Sequence, residues 1–565
     1  MKPAGSLEAF DRLDRQKPDM ASVENQMRRA RLHLRLAMNK ESAHSALLDM
    51  QQVYKQYQTS ASLADIQALK TPDNDEALAA LAFFDQADID FAHQLQQFYA
   101  ALLSSRYRPF LEEQYGLHLF EQASHFRRLI RPEVLQDLHV ERLLVRQYQQ
   151  IMRDLRFTMK GQTMNRHVLQ RYLHDPDRHI RQQAYQAYAE GMAALGDPLD
   201  EHFTQLLHCR QQIAQKLGFA SKADLAWQRM PHHELQRSGI SELRALIQRY
   251  VLPLTREIRH LQRRRLSLDQ LDWSDQFSLL TEGLPRLQMT LEQLVPSLAD
   301  VIVRQSDMDF AFRRLQDAGY INIIKAGSAG SPGVATSMVL TAVGLPCTCL
   351  CSDGSALDLL PVLQQLGYAF ASTCYTGDLV EYSLPEPLVV QTQGYAMALL
   401  LLPHLETAFG ITHDDYQLLQ LSQMLLDLTQ DCMVDDFEEQ LYAGPNLTAA
   451  ERCQLWLDLE RSYMPDLNHE HDDYFAAGRT WQLSESIWLK PYSQIGRTLA
   501  LLPALDLWRL SKANPTGAWR RYTQFCSYGS QMSFVDLLKK ADLASPLDPI
   551  TIKRVAYAVC NDLSL

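Results

Sequence analysis

The stretch Pro361-Val362-Leu363-Gln364-Gln365-Leu366-Gly367-Tyr368-Ala369-Phe370 decides how the rest of this chain is interpreted. We interpret it as a helix. Gln364 and Tyr368 are four residues apart, so on a helix they share one face, and Gln365 follows the first of them. All three side chains are polar and neutral. The functional interpretation depends on what side chains of this kind can do at this spacing.

The composition is that of a folded protein with room for two or three domains. Of 565 residues, 46% are hydrophobic and 22% charged, and the formal net charge is −12. This charge argues against nucleic acid or an anionic membrane as the main partner, since both favour a basic surface. The longest apolar run, Tyr395–Leu402, is too short to span a membrane, and no apolar signal sequence begins the chain. Nine scattered cysteines fit a reducing compartment, so we expect a cytoplasmic protein.

Helical periodicity dominates the chain, and a short sheet interrupts it near the centre. From residue 20 to about residue 260, apolar residues recur at three- and four-residue spacing. Ile321–Ile324 and Cys347–Leu350 are typical of short strands, and Ala326–Thr336 between them is rich in Gly and Ser. The sequence therefore predicts a mainly α protein with one small β-sheet.

Two features of this central region resemble ligand sites, but we expect neither to be one. Cys347, Cys349 and Cys351 alternate, which places all three on one side of a strand, where small thiols pack well in a core. The Gly/Ser-rich segment lacks the Lys-Ser/Thr ending of a phosphate-binding loop. We therefore predict a core strand and no nucleotide site.

A series of motifs in fixed order surrounds the central stretch. Those before it are Asp177–Ala184, Leu199-Asp200, Arg210, Ile213–Phe219, Arg229-Met230, Pro332-Gly333 and Pro346. Those after it are Leu384–Ala398, Val434–Glu439 and Trp481–Ile495. With them the chain resembles the oligoendopeptidase F branch of the thimet-oligopeptidase-like zinc metallopeptidases from about Val140 to Leu510.

The resemblance implies a fold and a division of the chain. The fold is mainly α, a helical clamshell that closes over a long groove, with a small β-sheet beside the zinc-binding helix. We predict an N-terminal helical region, 1–195, and a peptidase-like domain, 196–565. The degenerate zinc-binding helix would cover 361–371.

The resemblance also assigns positions to the zinc ligands. In the family this helix carries His-Glu-x-x-His, because two imidazoles four residues apart can hold one metal while the Glu deprotonates its water. Gln364 stands at the first His, Gln365 at the Glu and Tyr368 at the second His. Gln391 stands at the third ligand, a Glu in active members, and Gln393 at a further His.

A second set of family positions has changed as well. Active members offer a His and Tyr hydroxyls to the substrate carbonyl and to the oxyanion. The resemblance places Ser486, Ser493 and Gln494 at these positions. Loss of one oxyanion donor typically costs roughly 10²–10³ in rate.

The residues now present are poor substitutes for the family's chemistry. Zinc prefers imidazole, thiolate or carboxylate donors over amide oxygens or an unionised phenol. Gln365 cannot accept a proton from water, so general-base catalysis fails independently of the metal. We therefore expect no zinc and no other cofactor.

Other histidines do not replace the lost ligands. The 18 histidines include no pair three or four residues apart. His232 and His233 are adjacent, so we expect their rings to diverge on a helix. His469-Glu470-His471, followed by Asp472 and Asp473, lies in a polar connection that we expect to be exposed, and we expect it to bind metal only adventitiously.

Three functional hypotheses remain open. The first is an inactive relative, a pseudopeptidase, that binds peptides or a protein partner in a groove lined by Tyr375, Tyr395, Trp488 and Tyr492. The second is an active zinc oligoendopeptidase cleaving short peptides with displaced or misaligned ligands. The third is a decaying duplicate without a selected role. The sequence leaves the oligomeric state and the partner open.

Overall fold

Helices make up most of the part of the chain that the computed structural model describes, namely 9–13, 15–71, 74–306, 312–325, 335–352, 354–375, 377–444, 446–469 and 474–565. The helices of the first half are α1 Met20–Arg35, α2 Lys40–Lys70, α3 Asp75–Leu103, α4 Arg108–Tyr115, α5 Leu117–Leu129, α6 Leu135–Asp154, α7 Arg166–Tyr172, α8 Arg178–Ala193, α9 Gly196–Leu217, α10 Lys222–Gln228, α11 Arg237–Tyr250, α12 Leu252–Leu266, α13 Leu291–Ser306 and α14 Phe312–Asp317.

The helices of the second half surround the central sheet and continue to the end of the chain. They are α15 Ala356–Cys374, α16 Val380–Ser383, α17 Pro387–Leu401, α18 Glu406–Phe409, α19 His413–Ala443, α20 Ala449–Tyr463, α21 Glu485–Leu489, α22 Ile495–Ala513, α23 Pro515–Ser527, α24 Phe534–Lys540 and α25 Pro549–Leu563. The prediction of a mainly α protein is confirmed.

Polar side chains at the helix starts explain several of these boundaries. Asn39, Asn74 and Ser221 each accept a hydrogen bond from a backbone N–H in the first turn of the helix that follows. Thr448 and Glu451 form a reciprocal capping box at the start of α20. These contacts satisfy donors that a helix start otherwise leaves unpaired.

A β-hairpin interrupts the first helical region. Its strands are β1 Arg156–Met159 and β2 Gln162–Asn165, paired antiparallel with Met159 opposite Gln162. The two residues between them, Lys160 and Gly161, have φ of 51° and 76°. Two positive φ values are what a tight two-residue hairpin turn requires. The sequence predicted helical structure for this region and a single sheet near the centre of the chain, so this hairpin was not predicted.

The predicted small sheet has three strands. They are β4 Ile321–Lys325, β5 Ala335–Leu340 and β6 Leu345–Ser352, with β6 in the middle, parallel to β4 and antiparallel to β5. The two predicted strands are confirmed. Strand β5 was not predicted, and Thr336 belongs to it rather than to the Gly/Ser-rich segment, whose residues 326–334 lie outside the described part.

The three alternating cysteines lie in β6 as predicted. Cys347, Cys349 and Cys351 are buried, and none of them forms a disulfide with another described residue. A further short parallel pair joins β3 Leu271–Asp272 to β7 Leu467–Asn468.

Two apolar cores hold these elements together. The larger one contains the central sheet, α15, α17 and most of the later helices, and the smaller one is formed mainly by α1 to α5. The predicted boundary between 195 and 196 falls in the short connection between α8 and α9. In the part of the chain that is described, none of the helices combines the length and apolar character needed to cross a bilayer.

Candidate functional site

The helix predicted at 361–371 lies within α15 and crosses α17 at two glycines. A Cβ atom on Gly367 would lie 2.6 Å from Met397 Cβ, closer than such atoms approach. A Cβ atom on Gly394 would lie 3.0 Å from Gln364 Cβ. The two helices that carry the predicted zinc positions are therefore held in direct contact.

Tyr522 of α23 fixes this crossing from a third side. Its hydroxyl lies 3.0 Å from the carbonyl oxygen of Gln393 and 3.4 Å from that of Gly367, one on each helix. Its ring stacks on Phe370 with centroids 5.8 Å apart. The side chain is fully buried, so hydrogen bonding and packing both act at this point.

The three predicted positions on α15 are neutral. Gln364 and Gln365 are half-buried, and Tyr368 is buried. Burial raises the pKa of Tyr368 to about 12, so the phenol keeps its proton at neutral pH. Amide oxygens and an unionised phenol do not fit Zn²⁺, which takes imidazole, thiolate or carboxylate donors. Within the described ranges, no three His, Cys, Asp or Glu side chains are grouped so that they could hold one metal ion.

A cavity of about 680 Å³ lies next to the start of α17. Its walls come from α5, α6, α9, α10, the turn after α10, α17 and the segment 489–497. The lining residues are His125, Leu129, Glu141, Arg210, Lys222, Leu225, Ala226, Arg229, Met230, Pro231, His232, His233, Glu386, Pro387, Leu388, Gln391, Leu489, Lys490, Pro491, Ser493, Gln494, Gly496 and Arg497.

This cavity brings together three positions that the sequence singled out. Gln391, Ser493 and Gln494 all line it, although about a hundred residues separate the first from the others. The Oε1 atom of Gln391 is buried and has no hydrogen-bond partner within the described ranges, so it can accept a hydrogen bond from a ligand. The predicted positions outside this lining are Gln364, Gln365, Tyr368, Gln393 and Ser486.

A buried carboxyl group holds Gln494 in place. Gln494 Nε2 donates to Asp431 Oδ1 at 2.7 Å, and Thr498 Oγ1 donates to Oδ2 at 3.2 Å. Arg497 Nε lies 3.7 Å from the same Oδ2. Burial raises the pKa of Asp431 to about 7, although Arg497 opposes the shift. The amide at this family position thus has a structural partner.

A buried ion cluster also contributes to the lining of the cavity. Glu141 accepts hydrogen bonds from Arg210 Nε at 2.8 Å and from Arg229 Nη1 at 2.8 and 2.9 Å. Arg210 also donates to the Tyr442 hydroxyl and to the carbonyl oxygen of Trp488. Burial alone would raise the pKa of Glu141, but Arg229 and Arg210 outweigh it and hold the pKa at about 2. This cluster, which we call the charged wall, joins α6, α9 and the end of α10 to α19 and α21.

Two of the aromatic residues predicted to line a groove are core residues. Trp488 is fully buried and stacks on Tyr148 with centroids 4.2 Å apart. Tyr492 is 2% exposed, and its N–H donates to Glu438 at 2.8 Å. Its φ of 66° is unusual for a residue with a side chain, so the turn is held against local strain. The prediction that Trp488 and Tyr492 line the groove is therefore corrected.

The other two aromatic residues also lie away from the cavity lining. Tyr395 is 8% exposed and lies near Arg497, so it too packs in the interior. Tyr375 is half-buried, and its ring packs against Gly529. A Cβ atom on Gly529 would lie 2.8 Å from the nearest atoms of this ring. A peptide-binding role for Tyr375 stays a prediction.

The adjacent histidines lie in a turn after α10, so the expectation that they sit on a helix was wrong. The His233 ring stacks on His125 of α5 with centroids 3.8 Å apart. His232 is 2% exposed, and neither of its ring nitrogens has a hydrogen-bond partner in the part of the chain that the structure describes. Burial, with His233 adding to it, lowers the pKa of His232 to about 3, so the ring is neutral. His125 had no signal in the sequence, because nothing local connects it to this turn.

His469 is largely buried, which corrects the prediction of an exposed site. Its Nδ1 atom lies 2.9 Å from the Tyr185 hydroxyl and its Nε2 atom 3.1 Å from Glu460 Oε2. Its ring stacks on Trp273 at 4.7 Å. The remaining predicted residues of this group, 470–473, lie outside the described part.

Comparison with known protein families finds a match for the first part of the chain. Residues 10–128 match the peptidase M3 N-terminal domain. No curated protein matches the chain.

Solved structures match over nearly the whole length. PZ peptidase A with inhibitor 2 is 24% identical, with a TM-score of 0.92 over 98% of this chain and 99% of that one. A structure assigned as oligoendopeptidase F is 25% identical, with a TM-score of 0.92 over 99% of this chain and 100% of that one. Another so assigned, from Bacillus anthracis, is 22% identical, with a TM-score of 0.88 over 99% of both chains. The fold predicted from the resemblance is confirmed.

Proposed function

We propose, from the premise that this chain is oligoendopeptidase F-like by fold, that it is a catalytically inactive relative that binds peptides or a protein partner. The observation that carries this proposal is the donor set on the two crossing helices. Gln364, Tyr368 and Gln391 offer two amides and a neutral phenol, and Gln365 replaces the general base. No proton acceptor and no metal-binding donor is left at these positions.

Support also comes from the way in which the scaffold is maintained. The α15–α17 crossing depends on Gly367, Gly394 and Tyr522, none of which binds metal in this interpretation. Neutral replacements avoid burying unpaired charge, which would destabilise a metal-free site. Loss of the chemistry is therefore compatible with a folded protein and an open cavity.

The direct test measures metal content and turnover on the same purified protein. We expect substoichiometric zinc by mass spectrometry and no cleavage of internally quenched peptides, with or without added zinc. Stoichiometric zinc together with chelator-sensitive cleavage would instead favour the active oligoendopeptidase with displaced ligands.

A gain-of-binding variant tests the assignment of the positions. The quadruple variant Gln364→His, Gln365→Glu, Tyr368→His and Gln391→Glu should bind one zinc ion, because it supplies two imidazoles and a carboxylate on the crossing helices. The matched control omits only Gln391→Glu and should bind zinc more weakly.

We expect little peptidase activity from the quadruple variant. Ser486, Ser493 and Gln494 still lack the family's His and Tyr groups, and each missing donor costs roughly 10²–10³ in rate. Turnover near that of an active member would contradict this expectation. Equal zinc affinity of the variant and its control would show that Gln391 is not at the third ligand position.

A further inference from the structure

The cavity has a charge opposite to that of the whole chain. The chain carries a formal net charge of −12. Two of the lining residues are acidic, Glu141 and Glu386, whereas the basic ones are Arg210, Lys222, Arg229, Lys490 and Arg497. Asp427 and Asp431 pair with Arg497 from behind the wall. Glu141 is shared between Arg210 and Arg229, so the remaining wall keeps an excess of positive charge.

Lys222 is the most informative of these cations. It is 3% exposed, and its ammonium donates to the carbonyl oxygen of Gly444 at 3.2 Å and to Asn446 Oδ1 at 2.9 Å. Both acceptors are neutral, and no carboxylate of the described residues forms an ion pair with it. Burial lowers the pKa of Lys222 without any opposing charge. A buried cation without a counterion is costly unless an anion joins it.

Lys222 and Arg229 present two cationic positions from one helix face. The cavity is lined by Lys222 and by the residues three, four and seven positions after it, which are Leu225, Ala226 and Arg229. At 1.5 Å per residue, seven residues correspond to roughly 10 Å along the helix axis. A single small anion cannot contact both cations, so this wall fits a ligand with at least two separated anionic groups.

Neutral hydrogen-bonding groups accompany the cations. His232 is buried with two unpartnered ring nitrogens, and as a neutral ring it offers one donor and one acceptor. Gln391 adds a buried, unpartnered oxygen. Peptide groups carry the complementary N–H and C=O. The volume of the cavity is that of pockets that enclose a small ligand or the end of a chain.

We propose that this cavity binds an acidic peptide, with two of its carboxylates at Lys222 and Arg229 and its backbone at His232 and Gln391. The proposal rests on the proposed peptide-binding function and names the chemical class of its ligand. Phosphate groups share the negative charge, and the test separates the two.

Titration calorimetry of the unmodified protein measures the preference directly. The probes are an octapeptide containing four Glu residues, the same peptide with Gln at those positions, and inorganic phosphate. We expect the acidic peptide to bind about tenfold more tightly than the neutral one, because hydrogen bonds to charged groups are stronger than those between neutral groups. The preference should decrease at 0.5 M salt, because ions screen these contacts.

Two variants assign the preference to the cavity. Lys222→Gln keeps a donor for Asn446 but removes the charge. It should weaken the binding of the acidic peptide about tenfold and leave the binding of the neutral peptide unchanged. Lys490→Gln, at an exposed lining position, should weaken the binding of the acidic peptide by up to about fivefold. This variant keeps the test valid if Lys222→Gln unfolds. Lys553→Gln, which removes an exposed charge from α25, is the matched control and should change nothing.

Several results would overturn the proposal. They are equal affinity for acidic and neutral peptides, no binding of either, an unchanged acidic-peptide affinity in both cavity variants, or phosphate that binds as tightly as the acidic peptide. Zinc-dependent cleavage with an intact acidic preference would contradict only the proposed inactivity. A neutral-peptide preference without cleavage would contradict only the present inference.

Discussion

The α15–α17 crossing and the charged wall are stabilised by different forces, although α17 and the charged wall both contribute residues to the lining of the cavity. At the crossing, Gly367 and Gly394 allow two backbones to touch, so shape decides which residues fit. At the charged wall, Glu141 joins two arginines, so charge compensation decides which residues fit there. Of the predicted zinc positions, Gln364 takes part in the crossing through its Cβ atom, which lies beside Gly394. None of these contacts requires a metal ion, so a scaffold of this kind can fold without one.

The largest expected effect comes from breaking the charged wall. Glu141→Gln leaves buried Arg210 without its carboxylate, and loss of one partner of a buried pair costs about 3–5 kcal/mol in the free energy of unfolding. Urea denaturation measures this loss. The matched control is Asp458→Asn, which breaks an exposed pair with Arg461 and should cost less than about 1 kcal/mol. Similar losses in both variants would show that burial does not strengthen the charged wall.

The charged wall also predicts a pH dependence. The pKa of Glu141 is held at about 2, below its ordinary value of 4.5. Because the native state favours the ionised form, its contribution is complete above about pH 4.5 and is lost as the pH falls toward 2. The difference in stability between the unmodified protein and Glu141→Gln should be constant above pH 4.5 and shrink below it. A constant difference down to pH 3 would contradict this assignment.

The next effect comes from the crossing. Gly367→Ala places a Cβ atom 2.6 Å from Met397 Cβ and 2.7 Å from the carbonyl oxygen of Gln393. Because helix backbones must separate to admit it, we expect a loss of about 1–3 kcal/mol. Gly444→Ala, with no atom within 4 Å, is the control and should be nearly neutral in a thermal unfolding experiment. A neutral Gly367→Ala would mean that the crossing is looser than these distances require.

The smallest effect is expected between the two regions, at Gln391. Its Oε1 atom is buried without a partner, so Gln391→Met removes an unsatisfied acceptor while roughly keeping the volume. We expect a change within about 0.5 kcal/mol, in either direction. A loss of several kcal/mol in the free energy of unfolding would show that Gln391 stabilises the scaffold. That result would contradict the proposal that it only replaces a former metal ligand.

Much of the fold could be predicted because its signals are local. Helical periodicity identified the helical regions, and β-branched and cysteine-rich runs identified β4 and β6. The β1–β2 hairpin was missed because its strands are only four residues long and its turn is Lys160-Gly161. The placement of Trp488 was wrong because an aromatic residue near a predicted site looks the same in sequence whether it packs inward or faces a ligand.

By itself, the sequence determined that the positions on the central helix are neutral, since residue identity and four-residue spacing on a helix need no tertiary information. Only the tertiary structure decided that Gln391, Ser493 and Gln494 share a cavity with His125, that Glu141 lies between two arginines, and that Lys222 is buried without a counterion among the described residues. The physical reason is the separation along the chain of the residues that determine each property. Periodicity and side-chain chemistry are properties of neighbouring residues, whereas burial, charge compensation and cavity shape depend on segments that are far apart in the chain and meet only on folding.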